Sequence, residues 1–252
     1  MNIYCIIFDF RYAFTMRSKT PRQQSFDEHR MRHGRGGPRP GAGRKPSGRS
    51  CERKQRRERF RGGKPVHVTL RVRDGLPRLR SRRLVGELRR SFGEACERGD
   101  FRLVHYSVQH NHLHLLVEAD DQAALGCGMK SLGARVSRAI QRAFGVRGRV
   151  LAQRYHAHVL RTPNEVRRAL QYVLLNVRKH WRELRGAGPP LRLDDASSSR
   201  WFDGFTRELP GCHTGRTGRT GPREVAQPRT WLLARGWRRH GLIDPASIPG
   251  AR

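Results

Sequence analysis

The residues best placed for chemistry lie in "HNHLHLLVE" (110–118), where His110, His112 and His114 occupy alternate positions of an apolar run. In a β-strand, alternate side chains share a face, so His112 and His114 would project together while Leu113, Leu115 and Val117 fill the opposite face. Their Cβ atoms would stand about 7 Å apart, close enough for both imidazoles to reach one divalent cation through bonds of about 2.1 Å. His110 falls in the turn before the strand and is read as a bystander. A second pair, His156 and His158 in "RYHAHVL", has the same spacing without a large apolar residue between; it is the weaker candidate. Glu118, on the histidine face, is read as an edge carboxylate rather than a ligand.

A second set of groups lies in "QYVLLNVRKHW" (171–181). At 100° per residue, Val166, Leu170, Val173, Leu174, Val177 and Trp181 form one apolar stripe of a helix. Tyr172 and Asn176, four residues apart, share an edge beside that stripe, flanked by Arg168 and Lys179.

The elements needed to hold these groups can be read around them. Order begins at Pro65, with "VHVTLRV" (66–72) alternating as a strand. A helix follows, with Ser81 as N-cap, Leu84, Leu88 and Phe92 on its apolar face, and Gly99 as its stop. Residues 101–109 and 112–119 form a hairpin, and Asp120 or Asp121 caps a helix bearing Leu125, Met129, Leu132, Val136, Ile140 and Ala143. A strand over 148–160 and a helix from about Pro163 to Trp181 complete the order β-α-β-β-α-β-α. This predicts an α+β fold with a ferredoxin-like, antiparallel four-stranded sheet and an added C-terminal helix bearing the tyrosine.

Three regions follow: a disordered basic arm over 1–64, a catalytic domain over 65–182, and an irregular linker and basic, Trp-containing tail over 183–252. The arm, with "RHGRGGPRPGAGRKPSGRS", has too little apolar surface for a core. Its first residues, "MNIYCIIFDFRYAF", lack the basic start and cleavage site of a signal peptide. We read them as lying upstream of the true start at Met16 or Met31; native protein beginning at Met1 or Asn2 would contradict this.

The 252-residue chain has 53 Lys and Arg against 21 Asp and Glu, a formal net charge of +32. Such an excess points to a polyanion, nucleic acid first. A membrane partner is excluded from the expectation, since no basic segment adjoins a long apolar span. The five cysteines are scattered and form no C-x-x-C pair, which fits a reducing cytoplasm and argues against a disulfide scaffold or zinc ribbon. We expect a cytoplasmic, nucleoid-associated protein. Lys130, Arg135, Arg138 and Arg142 on the second helix, Arg168 and Lys179 on the third, and Trp231 and Trp237 in the tail are candidates for holding phosphates and stacking bases; the two tryptophans read equally well as docking on the catalytic domain.

The paired motifs, "HLH" followed by "LLVE" and, some sixty residues on, a helix with Tyr-x-x-x-Asn, resemble the single-tyrosine HUH transposases. "GRVLAQRYHAHVLRT" and "YVLLNVRKH" resemble their REP-associated branch, which tends to carry Asn four residues after the tyrosine. The resemblance covers residues 65–182; Val177 departs from it, standing where many relatives have proline. It implies that His112, His114 and the Asn176 amide carbonyl hold Mg²⁺ or Mn²⁺. It also implies that Tyr172 attacks DNA to form a 5′-phosphotyrosine link, and that single-stranded DNA with hairpin-forming element ends is the substrate of a monomer or homodimer. A relaxase-like nickase and a catalytically inactive DNA-binding relic are the alternative expectations.

Overall fold

The computed structural model describes residues 58–94, 96–186, 191–209 and 223–250. Residues 1–57, nearly all of the basic arm, and most of the low-complexity stretch after Pro210 lie outside the described residues.

The order is β1 (Lys64–Arg71), α1 (Arg82–Gly93), β2 (Glu97–Arg98), β3 (Phe101–Val108), β4 (His112–Ala119), α2 (Gln122–Phe144), β5 (His156–Val159) and α3 (Pro163–Arg185). A single-turn helix, α4 (Trp231–Ala234), and 3₁₀ turns at Ser199–Trp201 and Gly236–His240 follow. The strands form one sheet in the order β2-β3-β4-β1-β5, every neighbouring pair antiparallel. The expected four-stranded sheet is thus corrected to five strands. The addition comes from "ERGDF": Gly99 does not stop α1, which ends at Gly93, but turns a small hairpin with Asp100 that pairs Arg98 with Phe101. Two-residue Gly/Asp loops favour this geometry. The last strand is shorter than expected, with Leu151 making an isolated bridge to Val72.

The helix starts follow from side-chain caps, each worth about 1 kcal/mol. Ser81 accepts from the Leu84 N–H at 3.2 Å, Asp121 from Ala123 and Ala124 at 2.8 Å, and Thr162 from Glu165 at 3.2 Å, just before Pro163. Gly145 and Gly186 close α2 and α3 with φ of 67° and 66°, a left-handed conformation that costs glycine little.

The sheet separates two cores. On one side Val66, Val68, Leu70, Leu103, Tyr106, Leu113, Leu115 and Val117 pack under Leu84, Leu88 and Phe92 of α1 and Leu125, Met129, Val136 and Ile140 of α2. Gly128 allows α2 to lie against Phe101; a Cβ there would stand 2.2 Å from the ring. On the other side Val104 and Leu116 meet Val166, Leu170, Val173 and Leu174 of α3, together with Phe202, Leu233, Trp237 and Ile243. A bulge between Leu103 and His105 lets Val104 and His105 both turn toward this second core.

The described residues beyond α3 therefore pack as part of the domain. Glu224 is buried and accepts from Tyr106 Oη (3.0 Å), Arg200 (2.6 Å) and Trp201 Nε1 (2.6 Å). Glu118, expected as an edge carboxylate, is instead buried and accepts from the Arg229 N–H, the Thr230 N–H and the Thr230 hydroxyl at 2.6–2.8 Å. Arg178 donates to the Ala246 carbonyl at 3.1 Å. These contacts bury Leu175 and Arg178, on the side of α3 away from its predicted stripe.

Candidate functional site

His112 and His114 lie on the α3 side of β4. The register places Arg71 opposite His112, Thr69 opposite His114 and His67 opposite Leu116, so His67, Thr69, His112 and His114 share one face. The two Nε2 atoms of His112 and His114 converge to 3.0 Å. Two imidazoles at adjacent positions around one cation, with metal–nitrogen bonds of about 2.1 Å, would place their nitrogens about 3 Å apart.

The outer ring nitrogens orient both histidines. His112 Nδ1 is 2.8 Å from the Asn111 side-chain oxygen; an amide oxygen only accepts, so this contact favours the tautomer with the proton on Nδ1 and the lone pair on Nε2. His114 Nδ1 lies 3.2 Å from His67 Nε2 and 3.3 Å from Thr69 Oγ1. Burial pushes the His114 pKa down to about 3, with His67 and His112 adding to the effect. His112 is lowered by burial first and then by His180, Arg71 and His110. Both imidazoles are held neutral, the form that binds metal.

Helix α3 supplies the remaining groups. The Tyr172 ring packs edge-on against His114, centroids 4.9 Å apart, and against His67 at 5.9 Å. Two turns further on, His180 is close enough to depress the pKa of His110, His112 and His114. Asn176 lies between them on the same edge of the helix. It is 1% exposed, and both its Oδ1 and Nδ2 lack a hydrogen-bond partner among the described residues. A buried amide left unpaired costs about 1–3 kcal/mol, a cost that a cation at its oxygen would offset. Two neutral imidazoles and one amide oxygen fit a divalent cation such as Mg²⁺ or Mn²⁺, with other coordination positions open to water or phosphate oxygens. Among the described residues, no group of three or more His, Cys, Asp or Glu side chains could hold a metal ion.

The other candidates separate from this centre. His110 is exposed in the β3–β4 turn. His156 and His158 are exposed on edge strand β5, opposite Thr69 and His67, and influence His67 electrostatically. Arg168 is exposed on α3, and Lys179 lies 3.9 Å from Glu183. Lys130, Arg135, Arg138 and Arg142 belong to α2, across the sheet from Tyr172; Arg135 pairs with Glu94 at 3.2 Å and Arg142 with Glu87 at 2.9 Å. Trp231 is 49% exposed with the Arg239 guanidinium 4.8 Å above its ring. Of the two readings of Trp237, base stacking is corrected in favour of docking on the domain: at 1% exposure, stacked on Phe202 and donating to the Leu233 carbonyl at 3.0 Å, it is a core residue with no face available to a base.

Sequence reasoning missed His67 and His180. His180 could have been found, since it continues the Tyr172–Asn176 spacing by another four residues. His67 depends on the register of β1 against β4, which no local pattern reports.

Residues 65–174 match the family model described as "Transposase IS200 like". The matched segment includes His67, His112, His114 and Tyr172 and stops two residues before Asn176. No curated protein matches the chain. A solved structure described as "Structure of the REP associates tyrosine transposase bound to a REP hairpin" aligns over 51% of this chain and 74% of its own, at 16% identity and a TM-score of 0.40. Among the described residues no helix is long and apolar enough to cross a membrane. From β1 to the middle of α3, over residues 65–174, the chain is similar to the IS200-like transposase family.

Proposed function

We propose that the protein is a metal-dependent single-stranded DNA endonuclease and strand transferase that works through a covalent tyrosine–DNA intermediate in DNA transposition. The observation that supports this most is the meeting of three groups from two elements. The Tyr172 ring lies against His114, whose Nε2 converges with that of His112.

In this reading His112, His114 and the Asn176 oxygen hold Mg²⁺ or Mn²⁺. When bound, the cation supplies Lewis-acid stabilisation of charge on the scissile phosphate. Tyr172 provides the nucleophile: its phenolic oxygen forms a bond to phosphorus as the bond from phosphorus to the 3′-oxygen breaks. The phenol proton is released to solvent, and the departing oxygen takes up a proton to become a free 3′-hydroxyl. The 5′-phosphotyrosine retains the energy of the phosphodiester, so another 3′-hydroxyl can displace the tyrosine and rejoin DNA without ATP. Hairpin-forming element ends are the proposed substrates. The net charge of +32 suits a polyanionic strand, and affinity should fall steeply with added salt as counterions are released.

The test uses labelled single-stranded oligonucleotides tiled across the DNA flanking the gene, incubated with protein and Mg²⁺ or Mn²⁺. An SDS-resistant adduct that needs metal and disappears in Tyr172→Phe supports the mechanism. Tight strand binding without an adduct under either metal would overturn it and favour a DNA-binding relic.

A further inference from the structure

We infer that His67, a strand β1 residue outside both sequence motifs, is a positioning residue of the proposed metal centre. It accepts a hydrogen bond from His114 Nδ1 and thereby directs the His114 Nε2 lone pair toward the ion shared with His112. This rests on the proposed function, and specifically on its metal site.

The antiparallel register puts Thr69 directly opposite His114 and His67 opposite Leu116. His67 is therefore the diagonal neighbour of His114 on the same face, within reach for a long side chain. The rings are 5.2 Å apart, and His67 Nε2 is 3.2 Å from His114 Nδ1. With that nitrogen accepting, His114 carries its proton on Nδ1 and leaves Nε2 unprotonated. His112 is set the same way by Asn111. Two unprotonated Nε2 atoms facing each other at 3.0 Å repel unless a cation lies between them, so the outer partners prepare both rings for the same ion. Residues that orient a metal-bound histidine through its second nitrogen commonly alter affinity without touching the metal.

His67 also forms part of the wall beside the nucleophile. Its ring stands at 72° to that of Tyr172, 5.9 Å away. One side chain on β1 thus contacts a proposed ligand on β4 and the proposed nucleophile on α3.

The experiment measures Mn²⁺ binding to the full chain without DNA, by titration with electron paramagnetic resonance of the free ion. Wild type is compared with His112→Ala, His67→Leu, His67→Gln and Thr69→Val. His67→Leu, which keeps bulk but offers no acceptor, is expected to weaken Mn²⁺ binding about 10–100-fold. His67→Gln, whose amide oxygen can occupy the place of Nε2, should restore it to within about threefold of wild type. Nitrogen-15 NMR of the metal-free protein should show His114 protonated on Nδ1 in wild type and in His67→Gln, with that tautomer lost in His67→Leu. A thermal melt of each variant without metal separates misfolding from loss of the site.

Wild-type affinity in His67→Leu would overturn the inference while leaving the metal site standing. So would a loss confined to Thr69→Val, which would make the hydroxyl the partner. Loss of Mn²⁺ binding in His67→Gln as severe as in His67→Leu would also overturn it, since bulk and packing rather than an acceptor would then be responsible. If wild type and His112→Ala bind Mn²⁺ alike, the metal centre itself fails and this inference falls with it.

Discussion

Tyr172 and His114 meet edge to face, ring centroids 4.9 Å apart and planes at 76°. The contact is between the two rings, so removing the phenolic oxygen should leave it intact. We predict that Tyr172→Phe abolishes the covalent DNA adduct while changing unfolding stability by less than about 1 kcal/mol, the usual range for a substitution that conserves packing. Urea denaturation beside the adduct gel checks both halves.

Asn176 separates stability from metal dependence. Its amide is buried without a partner among the described residues, so Asn176→Leu should stabilise the metal-free protein by about 1–3 kcal/mol, the cost of the unsatisfied group. Under the proposed function Mn²⁺ should raise the melting temperature of the wild type, and the same variant should lose that rise. Differential scanning calorimetry with EDTA and with Mn²⁺ reads both; a variant less stable in EDTA than wild type contradicts the prediction.

Glu118 receives three hydrogen bonds from Arg229 and Thr230. In Glu118→Gln the charge is lost and the new NH₂ faces either the Arg229 N–H or the Thr230 N–H, a donor against a donor. A loss of about 2–3 kcal/mol is expected, in the range for charge-assisted bonds. Because the contact closes the C-terminal segment onto β4, trypsin should cut after Arg229 faster in the variant than in wild type.

Stability should fall as the solution is acidified below neutrality. Burial, with a contribution from Arg223, lowers the pKa of His105 to about 3. The unfolded chain, with histidine near its ordinary value of about 6.5, takes up the proton first. The contribution of His105 is therefore complete above pH 6.5 and is lost progressively as pH falls toward 3, by up to about 1.4 kcal/mol per pH unit. His67, lowered to about 4 by burial, acts in the same direction. Urea midpoints at pH 7.5 and 5.0 should differ clearly in wild type and less in His105→Gln.

What the sequence discloses about this fold is what short spacings can carry. The H-x-H pair, the Tyr-x-x-x-Asn edge and the caps at Ser81 and Asp121 each involve residues within a few positions of one another, and the structure uses both caps as expected. The role of Asn176 came from family resemblance; its burial and lack of a partner came only from the structure. The features that escaped depend on distant residues. Gly99 looked like a helix stop because Gly-Asp ends helices and turns hairpins alike, and only its pairing partner decides between them. His67 was hidden by strand register. For Trp237 the sequence left docking on the domain and base stacking equally open, and nothing local named α3 as the burial site of Trp237 or Ile243. The same packing explains why Leu175 and Arg178 are buried although the helical period turned them away from the predicted stripe.

The covering of α3 has a consequence for stoichiometry. The helix is held between its own sheet and residues 231–248 of the same chain, with Trp237, Leu233 and Ile243 packed against it and Arg167, Gln171 and Arg178 tied to Gly241, Leu242, Ser247 and Ala246. Lending that helix to a second molecule would mean unpacking the whole cover. In this arrangement the phenol and the histidines beside it come from one polypeptide.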